Sequence, residues 1–401
     1  MSSEQSGGTP FESEIRFILQ AAMAMFVYTV AIGIVNGLGL VDFDRKPLLA
    51  HLHVGTLGWI TMAVFALSLR LFGTAEAERN DIIRWTARLA PAAALLYGVA
   101  FFTTTNVTRP VGGSLMGVVI LIFFVWGFQR ARVTTLSVPH LGLLAGLASS
   151  VIGTVLGVLN GLLISSPDLG LTERIADAHP ATMVVGFLVP VGMAFTELVL
   201  RPESTRERAT RLGQVQIAAP FLGGISLMAG LLLDVEPLAI LSLPLEVLGV
   251  AIFLWRLIPH VRSVSLTGAG TARHALFGMA FQVVNIIIFV YLISNYIDDF
   301  EAAPRRLVLA LDHSIFVGVL TNAILAVIVS MSTVRRPQWV DHAVFWGTNI
   351  GITGFIAGLL LDQSVVLRVF TPLLGVAILL AIAVHLGGDV IARRRTTAPA
   401  P

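Results

Sequence analysis

The stretch LLAHLHVGTLGWITMAVFALSLRLF, residues 48–72, decides what kind of molecule this is. It contains no acid, and its one formal charge, Arg70, sits close to its end. A helix of about 20 residues crosses the hydrocarbon layer of a bilayer, and this run is longer than that. Its apolar residues are continuous rather than alternating. That excludes a barrel strand, and backbone that crosses lipid must be a helix or a closed barrel. Two histidines, His51 and His53, lie in its first turns. Polar ionisable groups inside a membrane helix are costly and usually face the bundle interior.

The same pattern recurs outward in both directions. Twelve apolar runs are predicted, at approximately 17–40, 48–72, 84–104, 111–128, 141–164, 179–200, 212–233, 237–258, 274–296, 307–332, 340–361 and 365–389. The third and fourth are the shortest or most interrupted. A span and its loop take about 30 to 35 residues, so 401 residues leave no room for a soluble domain. The expectation is an all-α membrane protein: a single twelve-helix transmembrane domain over 1–401, with polar tails at 1–14 and 396–401. The first run is too long and continuous for a cleaved signal peptide.

Composition agrees. The chain is 56% hydrophobic and 12% charged, against roughly a quarter charged in soluble proteins. That excludes a disordered chain, a basic nucleic-acid binder and a secreted disulfide scaffold. Cysteine is absent, which removes disulfides, thiolate metal sites and cysteine nucleophiles. A formal charge of +2 says little about partners, and Lys46 is the only lysine.

The arginines orient the chain. With the N-terminus inside and sides alternating, the inner segments hold 19 basic residues: Arg16, Arg70, Arg79, Arg84, Arg88, Arg130, Arg132, Arg201, Arg206, Arg208, Arg211, Arg256, Arg262, Arg273, Arg335, Arg336 and Arg393 to Arg395. The outer segments hold 7: Arg45, Lys46, Arg109, Arg174, Arg305, Arg306 and Arg368. Outer loops carry acids instead, among them Asp234, Glu236, Asp298, Asp299 and Glu301. The positive-inside rule therefore predicts twelve helices with both termini cytoplasmic.

This sorting separates nine histidines. His140, His260, His274, His342 and His385 fall at inner helix ends or loops and read as interfacial residues. His51 and His53 in the second run, His179 opening the sixth and His313 in the tenth all fall on the outer side. Those runs are four apart, and the intervals are 128 residues from His51 to His179 and 134 from His179 to His313. The chain reads as three four-helix units, each with a histidine near the outer end of its second helix. Neutral imidazole is a good ligand for haem iron and copper, and histidines at similar depth on the second and tenth helices meet the demand of bis-histidine ligation. His51 and His53 point about 200° apart on a helix, so one ligates while the other packs or binds elsewhere; either assignment stays open.

Three segments carry a resemblance: AHLHVGTLGW (50–59), DAHPATM (177–183) and LDHSIFVGV (311–319). They resemble subunit I of the haem-copper oxidase superfamily, which includes terminal oxidases and nitric oxide reductases and has twelve helices in three four-helix arcs. The resemblance implies that His51 or His53, together with His313, holds one low-spin haem, of b type. It also implies that His179, followed by Pro180, matches a copper or non-haem iron ligand. The chain departs from the family at Leu311, where a high-spin haem ligand is expected. It departs again at 212–233, which has no histidine, and by lacking a tyrosine after His179. The implied function is a haem-binding redox or gas-binding protein (nitric oxide or oxygen) without a complete oxygen-reducing centre, in a bacterial or archaeal cytoplasmic membrane. If an enzyme, it would be a haem-dependent oxidoreductase. Its partners would be membrane lipid and a cytochrome or quinol electron donor, with no nucleic acid. Alternatives are a twelve-helix secondary transporter and a haem- and copper-containing membrane protein of the nitric oxide stress response.

Further polar residues fit this frame. Arg305 and Arg306, and Arg45 and Lys46, precede histidine-bearing helices and suit anionic haem propionates. Asp312 is a candidate for a supporting hydrogen bond or a proton path. Glu246 near the middle of the eighth run suggests proton transfer or a buried helix contact, and Glu197 an interfacial acid. Asn160, Asn285, Asn322 and Asn349 suit interhelix hydrogen bonds, and GVLNG (157–161) and GVLTN (318–322) suit close packing or room for a flat cofactor. No P-loop or zincin motif occurs.

Overall fold

The computed structural model describes residues 9–397 except 104–106, 269, 298, 333 and 335. Of the charges used for orientation, Arg335 and Asp298 lie outside the described residues, as do the side chains of Glu301 and of Arg393 to Arg395.

Among the described residues there is helix and no strand. Twelve long helices follow one another: α1 Glu12–Gly37, α2 Arg45–Phe72, α3 Asp81–Ala100, α4 Thr108–Ala131, α5 Val138–Ser165, α6 Ile175–Leu200, α7 Arg211–Leu233, α8 Glu236–Val261, α9 Ala272–Tyr296, α10 Arg305–Met331, α11 Gln338–Leu360 and α12 Ser364–Thr397. Eleven of them are long and apolar enough to cross a membrane, and the chain is a helical membrane protein. The helix that falls short is α3, where Asp81, Arg84 and Arg88 dilute the apolar run.

Polar caps set several starts. Asp44 accepts from the Lys46 amide (2.9 Å) to open α2, and Asn80 accepts from the Ile82 amide (3.0 Å) to open α3. Thr210 accepts from the Gly213 amide (3.2 Å) to open α7. Each cap satisfies an amide that the first turn leaves free.

Packing sorts the helices into an inner set and an outer ring. In α2, α6 and α10 the apolar span is 89%, 72% and 72% buried, against 33–56% in the other candidate spans. The inner helix α10 packs on both α2 and α6, and the Trp59 indole N–H donates to Thr321 Oγ1 (3.1 Å) across α2 and α10. Phe26 of α1 stacks on Trp59 with ring centroids 4.4 Å apart. The outer helices pack mainly on their sequence neighbours, and α12 returns to α1, closing the ring. Large apolar side chains such as Leu95, Leu121, Trp255, Ile287 and Val376 are exposed around its rim, as expected of a surface that meets lipid.

One end of the bundle is pinned by buried charge. Glu14 of α1, 1% exposed, takes Arg88 at 2.9 Å and Arg84 at 3.3 Å from α3. Glu197, expected at the interface, is instead 1% exposed and held in a two-pronged pair by Arg256 of α8, both contacts at 2.7 Å. Arg273 of α9 donates to the Asp341 carbonyl of α11 (2.8 Å). A pin of this kind therefore lies within each consecutive set of four helices. At the same end His140 uses both ring nitrogens: Nε2 donates to the Leu71 carbonyl (3.1 Å), and Nδ1 accepts from Ser137 Oγ (2.6 Å).

Candidate functional site

The opposite end carries His51, His53, His179 and His313. Each inner helix widens just beyond its histidine into a π-helical stretch: Val54–Thr61 after His53, Thr182–Leu188 after His179 and Ser314–Thr321 after His313. Wide turns weaken the ordinary backbone ladder, and threonine hydroxyls fill in. Thr61 and Thr321 donate to carbonyls five residues back, at Thr56 (3.0 Å) and Phe316 (2.9 Å). Turns of this type occur often at functional sites, because they redirect side chains. Pro180, which has no N–H to offer the helix, contributes in α6.

Backbone carbonyls settle the tautomer of all four rings. Nδ1 lies 2.8 Å from a carbonyl oxygen in each: Thr29 for His51, Leu49 for His53, Gly153 for His179 and Leu309 for His313. A carbonyl can only accept, so Nδ1 carries the proton and Nε2 keeps its lone pair. Among the described residues no hydrogen bond reaches any of the four Nε2 atoms. Fixing the far nitrogen on a carbonyl is how proteins orient ligating histidines.

Two of these locks are built alike. His51 bonds Thr29 of α1 and its ring lies over Gly33, one turn on; His179 bonds Gly153 of α5 and its ring lies over Gly157, one turn on. A Cβ at Gly33 would come within 3.4 Å of His51 Cε1, and one at Gly157 within 2.9 Å of His179 Cε1. His53 and His313 use a different lock, each bonding the carbonyl four residues earlier in its own helix.

Two cavities receive the rings. The first, about 630 Å³, is lined by both His51 and His313. Its walls are apolar (Phe26, Val30, Ile34, Phe355, Leu374, Ile378) with Gly33, Gly37, Gly55 and Gly375, and Arg45 and Arg305 stand at it as cations. The second, about 450 Å³, is lined by His53 and His179, with Tyr97, Met116, Met183 and Phe289. Arg45, Leu49, Leu52, Asp312 and Phe316 line both, so a single wall from α2 and α10 separates them.

The sequence left His51 and His53 as alternatives; the structure sends them into different cavities, His51 toward His313 and His53 toward His179. Arg305 reaches the first cavity. Arg306 does not line it; it donates to the Leu360 carbonyl (2.9 Å) at the end of α11. Asp312 lies in the wall between the cavities. Asn285 bonds the Leu311 carbonyl and Asn322 bonds Asn349, each 2.9 Å, joining α9 and α11 to α10. Glu246 is 1% exposed, lines neither cavity, and has no hydrogen-bond partner for either oxygen among the described residues. The π-helical turns and the paired locks with Gly33 and Gly157 were not anticipated. A glycine one turn beyond the bonded residue was present in both TVAIG (29–33) and GTVLG (153–157), but its meaning needs the neighbouring helix.

Compared with models of known protein families the chain matches none, and no curated protein matches it either.

Proposed function

We propose that this is a haem-binding redox protein of the membrane, with one b-type low-spin haem held between His51 and His313. The observation that carries this reading is the first cavity: two imidazoles from different helices, each locked through Nδ1, line one apolar space of about 630 Å³. That volume falls within the roughly 300–1,000 Å³ of small-molecule sites. The donor set fits the group. His51 and His313 would hold its iron, and the apolar walls would take the ring, whose carboxylates seek cations. Arg45 and Arg305 would serve those carboxylates, and the glycines leave room for a flat ring.

When bound, haem supplies a one-electron iron couple. The chain's own part would be to present two neutral Nε2 atoms, to hold their rings by the Thr29 and Leu309 carbonyls, and to keep the cavity dry with Phe26, Val30 and Phe355. With both His51 and His313 as its ligands, a haem here would suit electron transfer rather than gas binding. A separate cytochrome or quinol would donate.

The same reading takes all twelve helices as crossing the membrane, in three four-helix arcs, with both termini cytoplasmic. Two observations support it. The start of α1 and the end of α12 meet in one pocket that holds Glu12, Arg16 and His385. On α3, Ile82, Leu89 and Leu96 are exposed in a row suited to lipid. A secondary transporter is expected to divide into two related halves, whereas α2, α6 and α10 are three of a kind.

The test is the optical spectrum and pyridine haemochrome assay of protein purified from haem-replete cells. His51→Ala and His313→Ala each abolish the low-spin haem of the first cavity, while His53→Ala leaves it. Absence of haem from the wild-type protein would sink the proposal.

A further inference from the structure

We infer that the second cavity is a second haem site, with His53 of α2 and His179 of α6 as its axial ligands. The inference extends the haem reading to a new pair of residues, and it rests on its own geometry.

The ring placement carries it. Two imidazoles that share one metal through Nε2, at about 2.0–2.1 Å each, place their ring centroids roughly 6.3 Å apart when the three are in line. The His53 and His179 rings have centroids 6.4 Å apart and planes within 7° of parallel. Ordinary ring stacking is closer, as in Phe65 and Phe123 at 3.9 Å. The separation therefore matches two rings with an atom between them better than two rings in contact. Both Nδ1 atoms are already committed to carbonyls, so the Nε2 atoms are the ones left for a ligand.

The rest of the cavity chooses the kind of metal. Among the described residues no group of three or more His, Asp or Glu gathers anywhere. Structural zinc takes four protein ligands. A site that supplies two nitrogens suits a metal that carries its remaining ligands with it. The space, about 450 Å³, is also far larger than an ion requires and is walled mainly by leucine, methionine and aromatic side chains, with Asp177, Asp312 and Asn160 also lining it. Gly157 lies against the His179 ring, where a Cβ would crowd it. Cationic partners for porphyrin carboxylates are at hand in Arg45, which lines the cavity, and in Arg109. The Arg109 guanidinium sits 5.1 Å from the Phe101 ring, which packs at 4.5 Å on His53.

The site belongs to no single four-helix set: His53 comes from the first and His179 from the second. It is also distinct from the first cavity, sharing with it the wall of Arg45, Leu49, Leu52, Asp312 and Phe316.

Haem and metal content per chain test this. Wild-type protein from haem-replete cells is measured by pyridine haemochrome and by elemental analysis for iron, copper and zinc, alongside His179→Ala, His53→Ala and His313→Ala. Two haems per chain in the wild type, falling to one in His179→Ala and in His53→Ala with the His313-dependent signal kept, is the expected result. One haem that is lost in His313→Ala and unchanged in His53→Ala and His179→Ala would overturn the second site and leave the first standing. One haem lost only in the His53 and His179 variants would do the reverse. A copper or zinc ion lost in those variants, with haem unchanged, would overturn the porphyrin assignment. No haem in the wild type overturns both. The wild-type stoichiometry decides the count even where a variant fails to fold.

Discussion

His140 and His51 both sit in the first turns of a helix, and both hold a backbone carbonyl within 3.1 Å, yet they are differently employed. At the end of the bundle with Glu14, Glu197 and Arg273, His140 spends Nδ1 on its own capping serine and Nε2 on Leu71. Glu14 and Glu197 at that end are held in ion pairs by Arg88 and Arg256. At the other end, His51, His53, His179 and His313 spend one nitrogen each and turn the other toward a cavity. These four rings are half-buried, and each leaves Nε2 without a hydrogen-bond partner among the described residues, which is what the proposed ligands require, whereas His140 has both nitrogens bonded. The difference teaches that a ring nitrogen left over beside a cavity, and not helix position, sets these four apart from His140.

The largest effect that would sharpen this contrast is at the closed end. Glu197→Ala leaves the Arg256 guanidinium, a nearly buried cation, without its carboxylate. Breaking such a buried pair costs about 3–5 kcal/mol, so the variant should unfold at clearly lower temperature in detergent while the haem-to-protein ratio of its folded fraction is unchanged. A selective loss of haem with normal stability would break the comparison. His140→Ala is the next in size. Losing both bonds and the cap should cost about 1–3 kcal/mol, read by the same thermal melt, again with the spectrum intact. The smallest effects separate neighbouring arginines. Arg45→Ala should weaken haem retention by about tenfold or less, as for a solvent-exposed charge contact, measured as the rate of haem loss to a scavenging apoprotein. Arg306→Ala, whose side chain serves the Leu360 carbonyl, should leave that rate unchanged.

Much of the bundle was legible because membrane helices advertise themselves by apolar length. All twelve runs correspond to helices, with ends shifted by a few residues, as at α1, which starts at Glu12 rather than 17. The difference at α3 has a physical cause: Arg84 and Arg88 lower its apolar content, and both turn to Glu14. The histidine spacing likewise singled out the three helices that prove to be the inner ones. What stayed hidden depends on neighbours. Helical geometry fixes the angle between His51 and His53 but not the rotation of α2, which is set by the Thr29 carbonyl on α1. Arg305 and Arg306 look equivalent in the sequence, and about 100° of helix rotation separates their fates. Nothing in HVGTLGWIT (53–61) announces a π-helical turn, since threonine and glycine occur equally in ordinary helix. Glu197 looks like any residue at a helix end until Arg256 is brought beside it by the fold.

The shared origin of His51 and His53 on α2 has a mechanical consequence. One rigid helix holds both, on opposite sides, so it acts as an axle: a ligand that fixes the rotation of α2 through His51 also fixes the aim of His53. Occupants of the two cavities are then thermodynamically linked, and each eases the loading of the other by the same factor in either order.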